Sequence, residues 1–220
     1  MIIKTKFKVY PSVFIHIPKC AGSSIKEMLQ DLNESSDIHS KLKDDIQILK
    51  NKQIDIKRYL IFTVLRNPWD RMVSCYFFYR DIIKRNGKIA NKAKKLDFKD
   101  WVSYIYENQK SFSFIHDNCL DYLTYKNKVM VDYIINFHNF SEDIDELKNI
   151  LHLKLPTLHV NYSKHAFYKY YYSEKEIEII SKIYKRDIDY FNFDFEKTTQ
   201  MSKIINEEKI NIIRNKRIIL

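Results

Sequence analysis

Ser12–Ser24 reads S-V-F-I-H-I-P-K-C-A-G-S-S, and the order of residue types in it decides the fold. Ser12–Ile17 is a short apolar, β-branched run of the kind that forms a buried strand. Pro18 stops it, because proline cannot donate to a ladder. From Ser23 onward Ile25, Met28, Leu29 and Leu32 recur at helical spacing. Strand, tight turn and helix therefore follow in direct succession, and the turn holds Gly22, one of only two glycines in the chain. Backbone N–H groups of such a turn and of the helix start converge on one spot, which suits an anion. Lys19 adds a mobile positive charge, and Ser23 and Ser24 add hydroxyl donors. The Walker pattern G-x-x-x-x-G-K-[ST] is not met, since the lysine precedes the glycine and the first glycine is missing. Taken alone, the segment also reads as an ordinary strand–turn–helix with a surface lysine.

A second segment repeats the arrangement. Tyr59–Leu65, Y-L-I-F-T-V-L, is a strand, and Arg66-Asn67-Pro68-Trp69-Asp70-Arg71-Met72-Val73-Ser74 follows it. Asn at a helix cap and Pro at the first helical position mark a helix start, with Asp70 where a capping box puts its acid. The helix is expected to run to about Lys84. Arg66 lies beside the helix start, so guanidinium and backbone dipole converge on a second anion position. Ser74 lies further along the same helix and can donate its hydroxyl. Arg71 is expected to pair with Asp70 or another acid, and Trp69 and Tyr76 to belong to the core. Ligands of open α/β sheets sit outside the carboxyl ends of the strands. Two anion positions there suit a ligand with two separated phosphate-like groups.

Outward from these segments, the pattern predicts a short helix near Lys41–Leu49, a basic loop over Arg85–Lys95 around Gly87, and a helix over Phe98–Tyr106. A third strand follows over Met130–Phe137, then a helix over Glu142–Leu151 after Ser141. Ser173 and Glu176 form a capping box for a helix carrying Ile177, Ile180, Ile183 and Tyr184 on one face. Strands alternating with helices predict an α/β fold with a parallel sheet. The 220 residues suit one domain, and 45% hydrophobic and 15% aromatic residues exclude a mostly disordered chain. Residues 1–197 are assigned to that domain and 198–220 to a charged, Ile-rich tail expected to be helical.

The formal charge of +10 draws polyanions or simply reflects scattered surface lysines. Lys84, Arg85, Lys88, Lys92, Lys94 and Lys95 crowd one stretch, as an acidic-ligand guide or as a solvated face. The cysteines Cys20, Cys75 and Cys119 are odd in number and lack a C-x-x-C pair, which indicates neither a disulfide framework nor a zinc site. A reducing compartment follows most simply. No apolar run approaches the roughly 18 residues of a membrane span. The expectation is a soluble, cytoplasmic protein with no transmembrane segment, whose basic face can make peripheral membrane contact.

F-I-H-I-P-K-C-A-G-S-S resembles the 5′-phosphosulfate loop of the sulfotransferases, in the carbohydrate-type branch where the usual form is F-I-H-I-P-K-T-G-G-T-S. V-L-R-N-P-W-D-R-M-V-S-C-Y resembles the same family's 3′-phosphate motif, V-R-N-P-x-D-R-x-x-S-x-Y. L-P-T-L-H-V-N-Y-S-K-H is similar to its L-P-H-x-N-x-S stretch, and Y-Y-Y-S-E-K-E with D-I-D-Y-F-N-F to its closing helix and D-x-x-x-F-x-Y end. The resemblance spans roughly residues 12–195. It implies an α/β, P-loop-NTPase-like three-layer fold with a central parallel sheet flanked by helices. It also implies sulfuryl transfer from 3′-phosphoadenosine 5′-phosphosulfate (PAPS) to a hydroxyl of a saccharide on a glycan or glycolipid, with no metal.

By the same resemblance Lys19 contacts the bridging and sulfuryl oxygens. Cys20, Ala21, Gly22, Ser23 and Ser24 wrap the 5′-phosphate, and Arg66 and Ser74 hold the 3′-phosphate. Asn161, Ser163 and Lys164 lie near the donor. Cys20 stands where the family has Thr, and Ala21 where it has Gly, an exchange that a negative φ tolerates. His138 stands where relatives have Glu, and Cys119 where many have Gln.

Transfer of this kind needs charge stabilisation on the leaving phosphate and a base for the acceptor hydroxyl. Histidine meets the second need. His39, in D-I-H-S-K-L-K-D-D-I, stands where the branch carries a catalytic histidine before a short acidic helix, and is the expected base. His116 and His138 are candidates for contact with the acceptor. His16 continues the strand pattern and reads as a core residue, His159 as structural, and His152 and His165 as incidental. No G-x-S-x-G elbow supports a Ser–His–Asp hydrolase. Two other classes remain open: a non-enzymatic polyanion binder, although no nucleic-acid motif is visible, and a nucleotide phosphotransferase on the same fold.

Overall fold

The computed structural model describes residues 2–3, 10–29, 33–34, 39–53, 55–82, 87–109, 113–154, 165–197 and 206–215. In chain order the elements begin with β1 (Ile2–Ile3), β2 (Ser12–Ile15), α1 (Gly22–Met28), β3 (Asn33–Glu34), α2 (Leu42–Asn51) and β4 (Leu60–Leu65). Helices α3 (Pro68–Phe77), α4 (Lys88–Lys95), α5 (Phe98–Glu107), α6 (Ser113–His116) and α7 (Cys119–Leu123) follow. A hairpin, β5 (Thr124–Tyr125) and β6 (Lys128–Val129), precedes β7 (Tyr133–Asn136) and α8 (Phe140–Ile150). The last described helices are α9 (Glu174–Ile183), α10 (Lys185–Phe191) and α11 (Glu207–Asn215). The chain forms two compact units, one of residues 1–65, 119–161 and 200–220, the other of 66–118 and 162–199.

The first unit carries the sheet, in the order β3-β1-β2-β4-β7. β2, β4 and β7 run parallel, while β1 is antiparallel to both β2 and β3. Ile15 pairs with Thr63 and Leu65 with Asn136, and the Thr63 hydroxyl donates to the Ile15 carbonyl at 2.9 Å. Every residue of the three parallel strands is buried. That is why they read as unbroken apolar runs and not as alternating ones: a parallel sheet is covered on both faces. The result is an α/β arrangement, a three-stranded parallel sheet flanked by helices. Because β2 and β4 are neighbours and parallel, the loops leaving Ile15 and Leu65 start from the same sheet edge.

Helix α11 adds to this unit. Ile210 and Ile213 of α11 are buried, and Asp132 binds the helix start. Its carboxylate accepts from Lys209 Nζ at 2.7 Å, Asn206 Nδ2 at 3.0 Å and the Ile61 backbone N–H at 2.8 Å.

The described residues of the second unit form helices joined by loops, with no strand among them. α3 stops at Phe77 and passes into a π-helical turn over Phe78–Ile82, where a continuous helix to Lys84 was expected. The lysine-rich stretch expected as a loop is the helix α4. Ala90 and Ala93, three residues apart, give it a buried face while its charged side chains are all lysines. Ser173 and Glu176 form the reciprocal box at the start of α9, and the helix breaks at Tyr184 before α10. In the first unit, α8 starts at Phe140, so Ser141 lies inside the helix and does not cap it. No described helix is long and apolar enough to cross a membrane.

Candidate functional site

In the first unit the chain leaves β2 through His16, Ile17 and Pro18 and turns at Lys19-Cys20-Ala21 into α1. Lys19 has φ 65° and Ala21 φ 53°, both left-handed. The Cys20 N–H donates to the Ile17 carbonyl at 3.3 Å, and the N–H groups of Ser24 and Ile25 donate to the Ala21 carbonyl at 3.0 and 3.2 Å. A left-handed residue followed by right-handed ones gathers successive N–H groups into a concavity that favours an anion. Ala21 into helical Gly22 has that form. The negative φ that would make alanine tolerable at this position is therefore not what the loop adopts. The turn demands a left-handed residue, and its alanine carries the strain of a β-carbon there.

Gly22 is glycine for a different reason, since its own φ is not positive. A β-carbon at Gly22 would lie 1.7 Å from His16 Nε2 and 1.8 Å from its Cδ2. The His16 imidazole thus rests against the Gly22 backbone. It also stacks on Phe14 at 5.7 Å and packs against the ring of His39, with centroids 4.3 Å apart. His39 Nδ1 lies 3.4 Å from the His16 carbonyl oxygen. Next to it, Ser40 Oγ donates to the buried Asp45 carboxylate at 2.7 Å, which ties this segment to α2. Lys41 Nζ sits 5.4 Å from the Tyr122 ring centroid.

The structure therefore brings His39, His16 and the glycine of the loop together. His16, half-buried, is a partner of His39 and not a plain core residue. Cys20 and Ser24 are buried, Lys19 and Ala21 half-buried, and Ser23 exposed. His138 follows β7 in a short helical turn, its backbone N–H bonded to Asn136 Oδ1 at 3.1 Å. Asn161, Ser163, Lys164 and His159 lie outside the described residues.

In the second unit Asn67 caps α3 as expected, its Oδ1 accepting from the Trp69 N–H at 3.0 Å, with Pro68 behind it. Asp70 does not complete a capping box. Its carboxylate takes Arg66 Nε at 2.7 Å and Arg66 Nη2 at 2.9 Å, a bidentate pair in which both side chains are buried. Arg66 and Asp70 stand four residues apart across a helix start, a spacing that would have disclosed the pair. Arg71 is buried on the same helix. Its Nη1 donates to the Asp117 carbonyl at 3.1 Å, and its guanidinium lies 5.2 Å from the Tyr184 ring centroid.

Ser74 is buried one turn beyond Asp70 on the same helix. Asn67 Nδ2 donates to the Asp194 carbonyl at 3.0 Å, Trp69 Nε1 to that of Ile177 at 3.2 Å, and the Tyr172 hydroxyl to that of Trp69 at 2.7 Å. Burial pushes the Tyr172 phenol up, so it stays a neutral donor. Burial, reinforced by Asp70, Glu196 and Asp194, raises Tyr168 to about 12. These bonds hold the start of α3 rigid, and with it the guanidinium. His116 lies on α6 of the same unit, half-buried.

Chemically, the first unit offers a backbone anion cradle, a lysine and a histidine pair. The second offers an oriented arginine with a serine one turn beyond its partner acid. Among the described residues no group of three or more His, Cys, Asp or Glu side chains is placed to hold a metal ion.

The model of the sulfotransferase family matches residues 6–194, a span that contains both motifs. No curated protein and no solved structure matches the chain.

Proposed function

The chain belongs to the sulfotransferase family, and from that premise we propose that it transfers a sulfuryl group from PAPS to a saccharide hydroxyl, on a glycan or glycolipid. The transfer uses a histidine base and no metal. One observation carries the reading: the left-handed turn Lys19-Cys20-Ala21 that feeds α1 at the carboxyl end of β2.

The donor chemistry of the residues fits PAPS. The 5′ end suits the loop of residues 20–24, where the backbone N–H groups of Ala21, Gly22 and Ser23 serve as donors while those of Cys20 and Ser24 close the turn, with Lys19 supplying charge at the bridging oxygen. The 3′-phosphate suits Arg66 and Ser74. Asp70 fixes the guanidinium's direction, so recognition there rests on aimed N–H groups more than on net charge. Asn161, Ser163 and Lys164 are assigned to the same ligand on the motif alone. A P-loop-like ancestry for the sheet agrees with anion-binding loops at the carboxyl ends of parallel strands.

PAPS supplies a sulfuryl group on a good phosphate leaving group. His39 takes the acceptor's hydroxyl proton at Nε2 as the oxygen forms its bond to sulfur. The sulfur–oxygen bond to the phosphate breaks, and its electron pair stays on the phosphate oxygen, where Lys19 meets the growing charge. His116 and His138 are assigned to the acceptor side. Buried free thiols at Cys20, Cys75 and Cys119 suit a reducing compartment such as the cytoplasm.

Calorimetric titration with 3′-phosphoadenosine 5′-phosphate tests this, for wild type and Arg66→Ala, with ATP as comparison. Micromolar binding that Arg66→Ala abolishes, with ATP much weaker, supports the donor site. Acceptor screening in EDTA then tests metal independence, with His39→Ala as control. Absence of binding by folded wild type overturns the reading and favours a polyanion binder.

A further inference from the structure

We propose that His16 is a positioning residue that holds His39 in its Nδ1–H tautomer, so that the Nε2 lone pair is the basic atom. The proposal rests on the reading of His39 as the base, and adds how that base is set.

A carbonyl oxygen has lone pairs and no proton. The 3.4 Å contact between His39 Nδ1 and the His16 carbonyl is therefore a hydrogen bond in one direction only, with Nδ1 donating. In neutral imidazole one nitrogen carries the proton and the other accepts. A proton held at Nδ1 leaves Nε2 bare. The distance is long for a tight bond, as catalytic contacts often are before the reacting groups arrive.

The ring contacts do the rest. The His16 imidazole lies 4.3 Å from that of His39, centroid to centroid, at an interplanar angle of 55°. On its other sides it meets Phe14 and the Gly22 backbone. One side chain thus braces His39 and touches the anion loop at once. His39 is exposed and stands just before α2. His16 supplies the backbone acceptor and the ring wall from one residue at the end of β2.

Imidazole nitrogens report their protonation in ¹⁵N chemical shift, so the test reads the tautomer directly. Wild type is recorded at about pH 8, where an ordinary histidine is neutral, and the His39 signals are assigned by comparison with His39→Gln. A protonated-type shift at Nδ1 and a bare-type shift at Nε2 are expected. A dominant Nε2–H form overturns the proposal, whatever the activity. Two variants then separate the ring from the backbone.

His16→Phe keeps a flat ring wall and should keep kcat within about threefold. His16→Ala removes the wall, and should let the His39 tautomer average while lowering kcat roughly tenfold, a part of the usual contribution of a positioned base. KM for the acceptor should change less than kcat. Equal losses in Phe and Ala variants, or an unchanged tautomer in His16→Ala, also overturn it. Retained activity in His39→Ala is a separate result: it refutes the base assignment and leaves the tautomer readout standing.

Discussion

Replacing Ala21 with glycine should make this protein more stable, because the loop asks of alanine a conformation that its β-carbon resists. Ala21 has φ 53° and ψ 20°. A β-carbon in that region costs roughly 1–2 kcal/mol, and glycine's extra freedom in the unfolded chain takes back about 0.4–1 kcal/mol. The balance is a gain of about 0.5–1 kcal/mol, or roughly 1–4 °C in Tm for a chain of this length. Gln53, just past α2, is exposed with φ 57° and offers a reference. Its glycine variant should gain about the same without touching the loop, since glycine is the favoured residue just past a helix end.

Urea unfolding and thermal melts of wild type, Ala21→Gly, Gln53→Gly and the double variant give the numbers. The two gains should add, for sites with no shared partner. A gain at Gln53 with a loss at Ala21 would mean that the alanine methyl packs more favourably than the strain costs. A loss at both would refute the conformational reasoning itself. Affinity for 3′-phosphoadenosine 5′-phosphate should be kept in Ala21→Gly, because glycine is what the family's usual loop carries there.

Three further outcomes are expected. Asp70→Asn removes the charge partner of buried Arg66 and should destabilise by about 3 kcal/mol in urea unfolding, the lower end of the range for breaking such a pair; a change below about 1 kcal/mol refutes the pair's role. Asp132→Ala removes three bonds that seat Asn206, Lys209 and the Ile61 N–H. Amides of Glu207–Asn215 should then exchange roughly ten- to a hundredfold faster by hydrogen-exchange mass spectrometry, as for loss of one or two charged hydrogen bonds; unchanged exchange means that Ile210 and Ile213 alone hold α11.

Tyr168 should titrate at about 12 in the folded protein. Its ordinary value is near 10, and a folded pKa above the unfolded one contributes stability that is present below pH 10 and lost as pH rises toward 12. Phenolate absorbance should fall short of the full tyrosine count until unfolding, because Tyr79, Tyr133 and Tyr172 are raised as well, and the shortfall should be smaller by one tyrosine in Tyr168→Phe. A normal titration of Tyr168 contradicts its burial.

Much of the fold was legible because its signals are local. Apolar runs stopped by Pro18 and by Asn67-Pro68, with helical spacing after each, are enough to set strand, loop and helix in order. Other elements were not. α4 hides in a lysine-rich stretch, since its buried face is two alanines. The β5–β6 hairpin turns on Lys126 and Asn127, both with positive φ, and neither is a glycine that would have announced the turn. The site divides in the same way. Lys19, Gly22, Arg66 and Ser74 stand out because each lies in the turn or helix that directly follows a strand. Asp70 was taken for a capping acid, because both roles suit that position and only burial decides for the guanidinium.

The sequence by itself determined the class of fold, the strand-end turns proposed to meet anions and the family, since each depends on residue order along a few neighbouring positions. Tertiary structure alone decided the hand of Ala21, the reason for Gly22 and the company of His39. Those depend on residues far apart in the chain, His16 and His39 being 23 positions apart, and on which ring occupies the space above one glycine. Spacing along the chain carries no record of a contact that exists only after the strand and the loop have folded against each other.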